Sequence, residues 1–287
     1  MKNDKRLLID WVSFTLETDM IYGTKEWMIT RNLDQFMHDT FNEIWDDINA
    51  SAQLDMNSSA GGWERRAGRA PYAGCLSYRG FNIYYSTKLD TVLIEITGRG
   101  CDYLREIGRL DDVLDIGGER LTRIDLAVDI KCDVMPIEFT EQAVSGRFKS
   151  NGIQRSDSGE TVYIGSRKSE RYARVYRYFK PHPRHEYLRC EFVYRKKNAK
   201  IFYNQYKATS GNLKGLALGS GNVYGFEHPA WDLSGDDIDI KSYTPERRQG
   251  KTLAWLVSQV APAFKKLVDE GVIEDPEEFI RTHFLSE

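Results

Sequence analysis

TRIDLAVDI, residues 122–130, is a run of β-formers in which apolar and polar side chains alternate with a period of two. Such a run is a strand with one face on a core and the other turned away from it. Asp125 and Asp129 share that second face with Ala127, whose small side chain leaves room between the two carboxylates. The stretch has a counterpart near the start of the chain. IDWVSFT at 9–15 matches IDLAVDI at 124–130, and TVLIEITGR at 91–99 matches YLRCEFVYR at 187–195. The matches predict an internal duplication of a strand, helix, multistrand and helix unit, with a boundary near residues 111–119. Short alternating strands resemble one another in general, so the duplication stays open on sequence alone.

Outward from this stretch, residues 8–17, 73–78, 82–85 and 92–97 read as the strands of the first half, and 153, 162–165, 172–179 and 187–195 as those of the second. Leu33, Phe36, Met37, Phe41, Ile44, Trp45 and Ile48 recur at three- and four-residue spacing and predict an amphipathic helix capped by Asn32 or Thr30. Shorter helices are expected near Cys101 and over 137–148. Residues 207–247, rich in Gly, Ser, Asp and Pro, read as loop. The apolar series Leu253, Leu256, Val257, Val260, Phe264, Leu267 and Val268 predicts a helix kinked at Pro262, and Asp275 and Pro276 open a last one. The expected fold is α+β: curved antiparallel β-sheets with packed helices, a duplicated core and a helical C-terminal part. The expected divisions are an N-terminal half over 1–110, a second half carrying the chemistry over 119–206, and a loop-rich and helical region over 207–287.

Composition narrows the function. The 287 residues are 41% hydrophobic and 29% charged, near the average of globular proteins. Four cysteines at 75, 101, 132 and 190 form no CxxC pair and suit a reducing, cytoplasmic compartment. No long apolar stretch suggests a signal peptide or a membrane span. The net charge of −3 argues against a DNA-coating protein, but residues 163–200 carry twelve Lys or Arg against Glu170, Glu186 and Glu191, a local surface for anions.

Within that segment, Arg174, Tyr176 and Tyr178 alternate and share one face of a strand. A phenol with a pKa of about 10 is a weak nucleophile until a cation or base favours its phenolate. Gly165 to Ser169 reads as a tight turn offering hydroxyls, amides and two cations to a phosphate, and no Walker loop is present. Asp125, Glu191 and Asp129 are carboxylates of the kind Mg²⁺ or Mn²⁺ prefers. Structural ion pairs and a tyrosine-covered core fit the same spacings, and those readings stay open. His182 and His185, spaced HxxH, read as loop residues with a lesser claim as metal ligands.

Taken in order, IDWVSFT, LIEITGRGCDYL, TRIDLAVDI, TVYIGSRKSERYARVY, LRCEFVYRK, VYGFEHPAW and KTLAWLVSQVAP resemble the replication initiation factor (Rep-trans) family of plasmid rolling-circle initiators and related relaxases. The resemblance implies sequence-specific, metal-dependent nicking of double-strand origin DNA through a covalent 5′-phosphotyrosine, by a dimer that loads a host replicative helicase. It places the nucleophile at Tyr176, in an arrangement Arg174–x–Tyr176 in which Tyr178 stands where the family has Lys. Tyr178 either supports Tyr176 or substitutes for it. It places the Mg²⁺ or Mn²⁺ ligands at Asp125 and Glu191, with Asp129 third, and DNA contacts at Ser166, Arg167, Lys168, Ser169, Arg171, Arg189, Lys196 and Lys197. Origin recognition falls to the C-terminal part, with Arg247, Arg248, Lys251, Lys265 and Lys266 as its basic candidates. Asp10 and Glu95 hold the equivalent places in the first half, which is expected to lack chemistry and to complete a DNA-holding cleft. A relaxase of a conjugative element, with the same chemistry, and a non-catalytic DNA-binding regulator are the competing readings.

Overall fold

The alternation of 122–130 becomes the structural axis of the molecule. The computed structural model describes residues 5–17, 37–56 except 39 and 42, 62–143 except 142, 151–241 and 256–284. In chain order these form β1 (Lys5–Glu17), α1 (Glu43–Met56), β2 (Glu64–Ala67), β3 (Gly74–Tyr78), β4 (Phe81–Tyr85), β5 (Thr91–Ile96), α2 (Gly98–Glu106), α3 (Leu110–Gly117) and β6 (Leu121–Lys131). They continue with α4 (Pro136–Phe139), β7 (Asn151–Ser156), β8 (Gly159–Ile164), β9 (Arg171–Tyr178), β10 (Tyr187–Arg195), α5 (Lys197–Ala208), α6 (Leu213–Tyr224), α7 (Ala261–Asp269) and α8 (Pro276–Phe284). The chain divides into two compact units, Met1–Tyr243 and Thr244–Glu287.

In the first unit ten antiparallel strands join in one open sheet, in the order β2-β3-β4-β5-β1-β6-β10-β9-β8-β7. The order is a palindrome about the β1/β6 pair: β5 corresponds to β10, β4 to β9, β3 to β8 and β2 to β7. This is the arrangement the internal duplication calls for, with the two halves fused through their first strands. The expected sheets are a single sheet because β1 and β6, the longest strands, pair along most of their length.

Side-chain period two then sorts the residues onto two faces. Ile124, Leu126, Val128 and Ile130 of β6 lie in the hydrophobic core with Ile9, Val12, Phe14 and Leu16 of β1. On this face α2, α3 and α6 pack against β1, and α5 and α6 against β6. Trp45 and Ile48 of α1 meet Ile83, Ile94 and Ile96 there. The opposite face carries Arg123, Asp125, Ala127 and Asp129, all of which the core-facing register excludes from the apolar side.

The loop expected over 207–247 gives way to a helix at 213–224. Composition misleads here because the glycines serve packing: a Cβ at Gly219 would run into the Ile238 carbonyl and one at Gly221 into the Trp231 indole. Asn212 caps the start by accepting from the Gly215 amide at 3.0 Å, and Gly225 ends the helix in the left-handed region at φ 70°. Helices α3 and α5, and the edge strand β2, were also not expected. Of the long first helix, Leu33, Phe36 and the caps at 30 and 32 lie outside the described residues, as do 144–148 of the expected helix after β6.

In the second unit Asp275 caps α8, accepting from the amides of Glu277 and Glu278 at 3.0 Å each, as the sequence predicts. Pro262 lies at the start of α7, directly after a π-helical turn at Leu256–Val260. Lys265 and Lys266 are exposed on α7; Arg247, Arg248, Lys251 and Leu253 fall outside the described residues. Among the described residues no helix is long and apolar enough to cross a membrane.

Candidate active site

Four neighbouring strands, β1, β6, β10 and β9, build a charged cluster on the polar face. Antiparallel register sets Glu191 of β10 opposite Ala127 of β6 and opposite Arg174 of β9, and sets Arg189 opposite Asp129 and Tyr176. The room left by Ala127 is therefore faced by Glu191, a buried carboxylate. Its Oε2 accepts from Arg174 and its Oε1 from the hydroxyl of Tyr176. A phenol hydroxyl, a hydrogen-bond-accepting carboxylate and a guanidinium thus meet within one hairpin.

The flanking carboxylates are equally committed. Arg123 grips Asp125 through both oxygens, at 2.8 and 2.5 Å, and lies 4.0 Å over the ring of Trp11. Arg189 grips Asp129 at 2.5 and 2.7 Å and reaches Asp10 at 2.9 Å. A bulge between Ile9 and Trp11 lets Asp10 slip from the β1 ladder, which aims it at the second-half cluster.

Negative charge is crowded here. Burial raises the Asp10 carboxyl, and Glu191 and Asp125 raise it further against the pull of Arg189, to about 6. Asp125 is raised for the same first reason, burial, with Glu191 adding to it and Arg123 opposing. The Tyr176 phenol is pushed far above its ordinary value by burial and then by Glu191, so it holds its proton in this structure. A raised carboxyl favours the folded state while neutral, so the stability linked to Asp10 is complete below its unfolded value of 3.8 and is lost as pH rises through about 6. Asp10→Asn is therefore expected to stabilise the protein at pH 7.5 relative to the wild type and to give little gain at pH 4, as read by thermal melts at both values.

The donor chemistry of these carboxylates suits a hard divalent cation, but among the described residues no three metal-binding side chains come together to hold one. Guanidiniums occupy the oxygens a metal would take.

The remaining predicted residues separate. Ser166 to Ser169 form the turn between β8 and β9, closed by Ser169 N–H to the Ser166 carbonyl at 2.9 Å and by Lys168 N–H to the Ser166 hydroxyl at 3.2 Å. Arg167, Lys168, Lys196 and Lys197 are exposed, and Lys196 pairs with Glu170 at 3.2 Å. With half-buried Arg171 they mark the end of β9 away from Tyr176. Arg189 is not among them, because it is buried between Asp10 and Asp129. Tyr178 lies edge-on to Tyr176 at 5.4 Å and stacks on His182 at 3.8 Å. His185 faces the His182 carbonyl at 2.8 Å within the same loop. Arg123 and Asp10 were not among the expected site residues. Arg123 was legible, since a residue two before Asp125 in a strand must share its face; Asp10's orientation needed the bulge.

No family model matches the chain. A curated relative carrying the description "Putative DNA relaxase NicK", from Bacillus subtilis (strain 168), is 30% identical over 136 residues, 39% of this chain and 38% of that relative. The chain thus aligns with less than half of that relative's length. A solved structure of a rolling-circle replication initiator protein from Geobacillus stearothermophilus has a TM-score of 0.48 and 16% identity, covering 86% of this chain and 91% of that one. The sequence likeness, over part of each chain, is to a protein described as a putative DNA relaxase.

Proposed function

We propose that this chain is a plasmid rolling-circle replication initiator, a nickase that joins Tyr176 to the 5′-phosphate of the strand it cuts. The observation that carries the reading is the triad of Tyr176, Glu191 and Arg174 in one hairpin register. The Tyr176 hydroxyl passes its proton to Glu191 as its oxygen attacks phosphorus. The Oη–P bond forms, the P–O3′ bond breaks, and the 3′ oxygen takes a proton from solvent, leaving a 3′-hydroxyl that primes synthesis. Arg174 faces the charge that develops on the phosphate. The exposed cations at Arg167, Lys168, Lys196 and Lys197, with half-buried Arg171, hold the DNA backbone and confer no sequence choice.

The double-strand origin as substrate, a homodimer and a helicase recruited at the nick complete the proposal; of the expected Mg²⁺ or Mn²⁺ ligands Asp125, Glu191 and Asp129, each is held by a guanidinium that a cation would have to displace. A relaxase with the same chemistry is the second reading, favoured by the stretch shared with the Bacillus relative.

The test mixes purified protein with supercoiled plasmid from its own element, with Mg²⁺, with Mn²⁺ or with EDTA, quenches with SDS and maps DNA-linked peptides by mass spectrometry. A nicked product carrying the adduct on Tyr176, formed only with added cation, is the expected result. Intact plasmid with tight binding that ignores the chelator would sink the nickase and leave a DNA-binding regulator.

A further inference from the structure

The first half contains a second tyrosine, glutamate and arginine constellation. In β4 and β5, Asn82 lies opposite Glu95 and Tyr84 opposite Leu93; in β9 and β10, Arg174 lies opposite Glu191 and Tyr176 opposite Arg189. In each hairpin the tyrosine opposes the residue two before the glutamate and meets that glutamate diagonally. Since β4 and β5 mirror β9 and β10 in the sheet order, Tyr84 is the pseudo-symmetric mate of Tyr176. The contact is repeated as well: the Tyr84 hydroxyl donates to Glu95 Oε1 at 3.4 Å, and Arg69 donates to Glu95 Oε2 at 2.5 Å while lying 4.4 Å over the Tyr84 ring.

What surrounds the two constellations differs. Glu191 shares its field with Asp125 and Asp10, whereas the strand neighbours of Glu95 are Ser13 and Asn82. One carboxylate matched by one guanidinium is a balanced pair, without the charge array that phosphoryl transfer needs. Exposure differs too. The Arg69 side chain is 49% exposed against 28% for Arg174. Tyr72, half-exposed, lies 6.4 Å from Tyr84. On the neighbouring edge strand β2, exposed Arg66 lies in register with Tyr84 through Cys75 and pairs with exposed Glu64 at 2.6 Å. Cations interleaved with tyrosine rings on an exposed sheet face are the features that bind unpaired nucleic acid, through phosphate neutralisation and base stacking.

We infer that Arg69, Tyr84 and Tyr72 form a second, non-cleaving site that holds single-stranded DNA, with Glu95 positioning Arg69 and Tyr84. It rests on the nickase reading for its role, which is to hold a single-stranded stretch of the nicked DNA on the same sheet that carries Tyr176. Five strand spacings of about 4.8 Å separate β4 from β9, roughly 24 Å along the sheet. The holding site is thereby kept apart from Tyr176.

The experiment measures fluorescence anisotropy of a labelled oligothymidylate with the full chain in EDTA, where no cutting intervenes, in a Tyr176→Phe background. Tyr84→Ala is expected to weaken binding by on the order of 10-fold, within the range of one lost base stack. Tyr84→Phe, which keeps the ring, is expected to bind like its parent, and this guards against a folding defect. Arg69→Gln is expected to lower the salt slope by about 0.7, one phosphate contact. Parental affinity and slope in Tyr84→Ala and Arg69→Gln would overturn the site, as would a DNA adduct mapped to Tyr84. Loss of nicking by the wild type with Tyr84-dependent binding retained would overturn the nickase and leave the holding site standing.

Discussion

Tyr176→Phe is expected to abolish covalent attachment and to lower nicking by on the order of 10⁴–10⁶-fold, the scale on which removal of a covalent nucleophile acts. The substitution is nearly isosteric. It keeps the edge-on contact with Tyr178 and leaves Glu191 held by Arg174. Its effect therefore falls on chemistry, and DNA affinity should be unchanged. The competing nucleophile is Tyr178, whose ring is stacked on His182. Only Tyr176 has its hydroxyl on Glu191. An adduct that persists in Tyr176→Phe and maps to Tyr178 would transfer the assignment along the strand. An adduct that persists when both are Phe would defeat the mechanism.

The second large effect is on stability. Arg189→Ala is expected to destabilise the fold by about 3–5 kcal/mol, because one buried guanidinium neutralises Asp129 and Asp10 together and its removal strands both. That is a large part of the roughly 5–15 kcal/mol a domain of this kind possesses. Urea unfolding followed by tryptophan fluorescence reads it directly. Adding Asp129→Ala to Arg189→Ala should recover part of the loss, since it removes one stranded charge. Simple additivity of the two single substitutions would show that the pair is not coupled.

Both expectations turn on residues of different legibility. Alternation in 122–130 and 187–195 was enough to place Asp125, Asp129 and Glu191 in strands, and the matches between the halves suggested a duplication whose palindromic sheet order only the structure shows. Tyr176 and Arg174 share a face by spacing alone. Arg189 could not be placed this way: it belongs to the cationic segment by sequence, and only the register opposite Asp129 shows that it is buried against acids. The first half was expected to lack chemistry because it has no Arg-x-Tyr run. The guanidinium beside Tyr84 comes from a loop 15 positions earlier in the chain, beyond the reach of any motif.

The sequence by itself determined most of the strands and their faces and suggested the duplicated plan, because side-chain alternation is a local property that each segment carries wherever it lies. It also determined which segment is cationic. The tertiary structure alone decided that the two halves form one sheet, that residues 213–224 are a helix packed through glycines, and which guanidinium answers which carboxylate. Those depend on cross-strand register, on one bulge at Asp10 and on close approach between distant segments. Each is fixed by pairing energies summed over the whole sheet, so no single stretch of chain contains them.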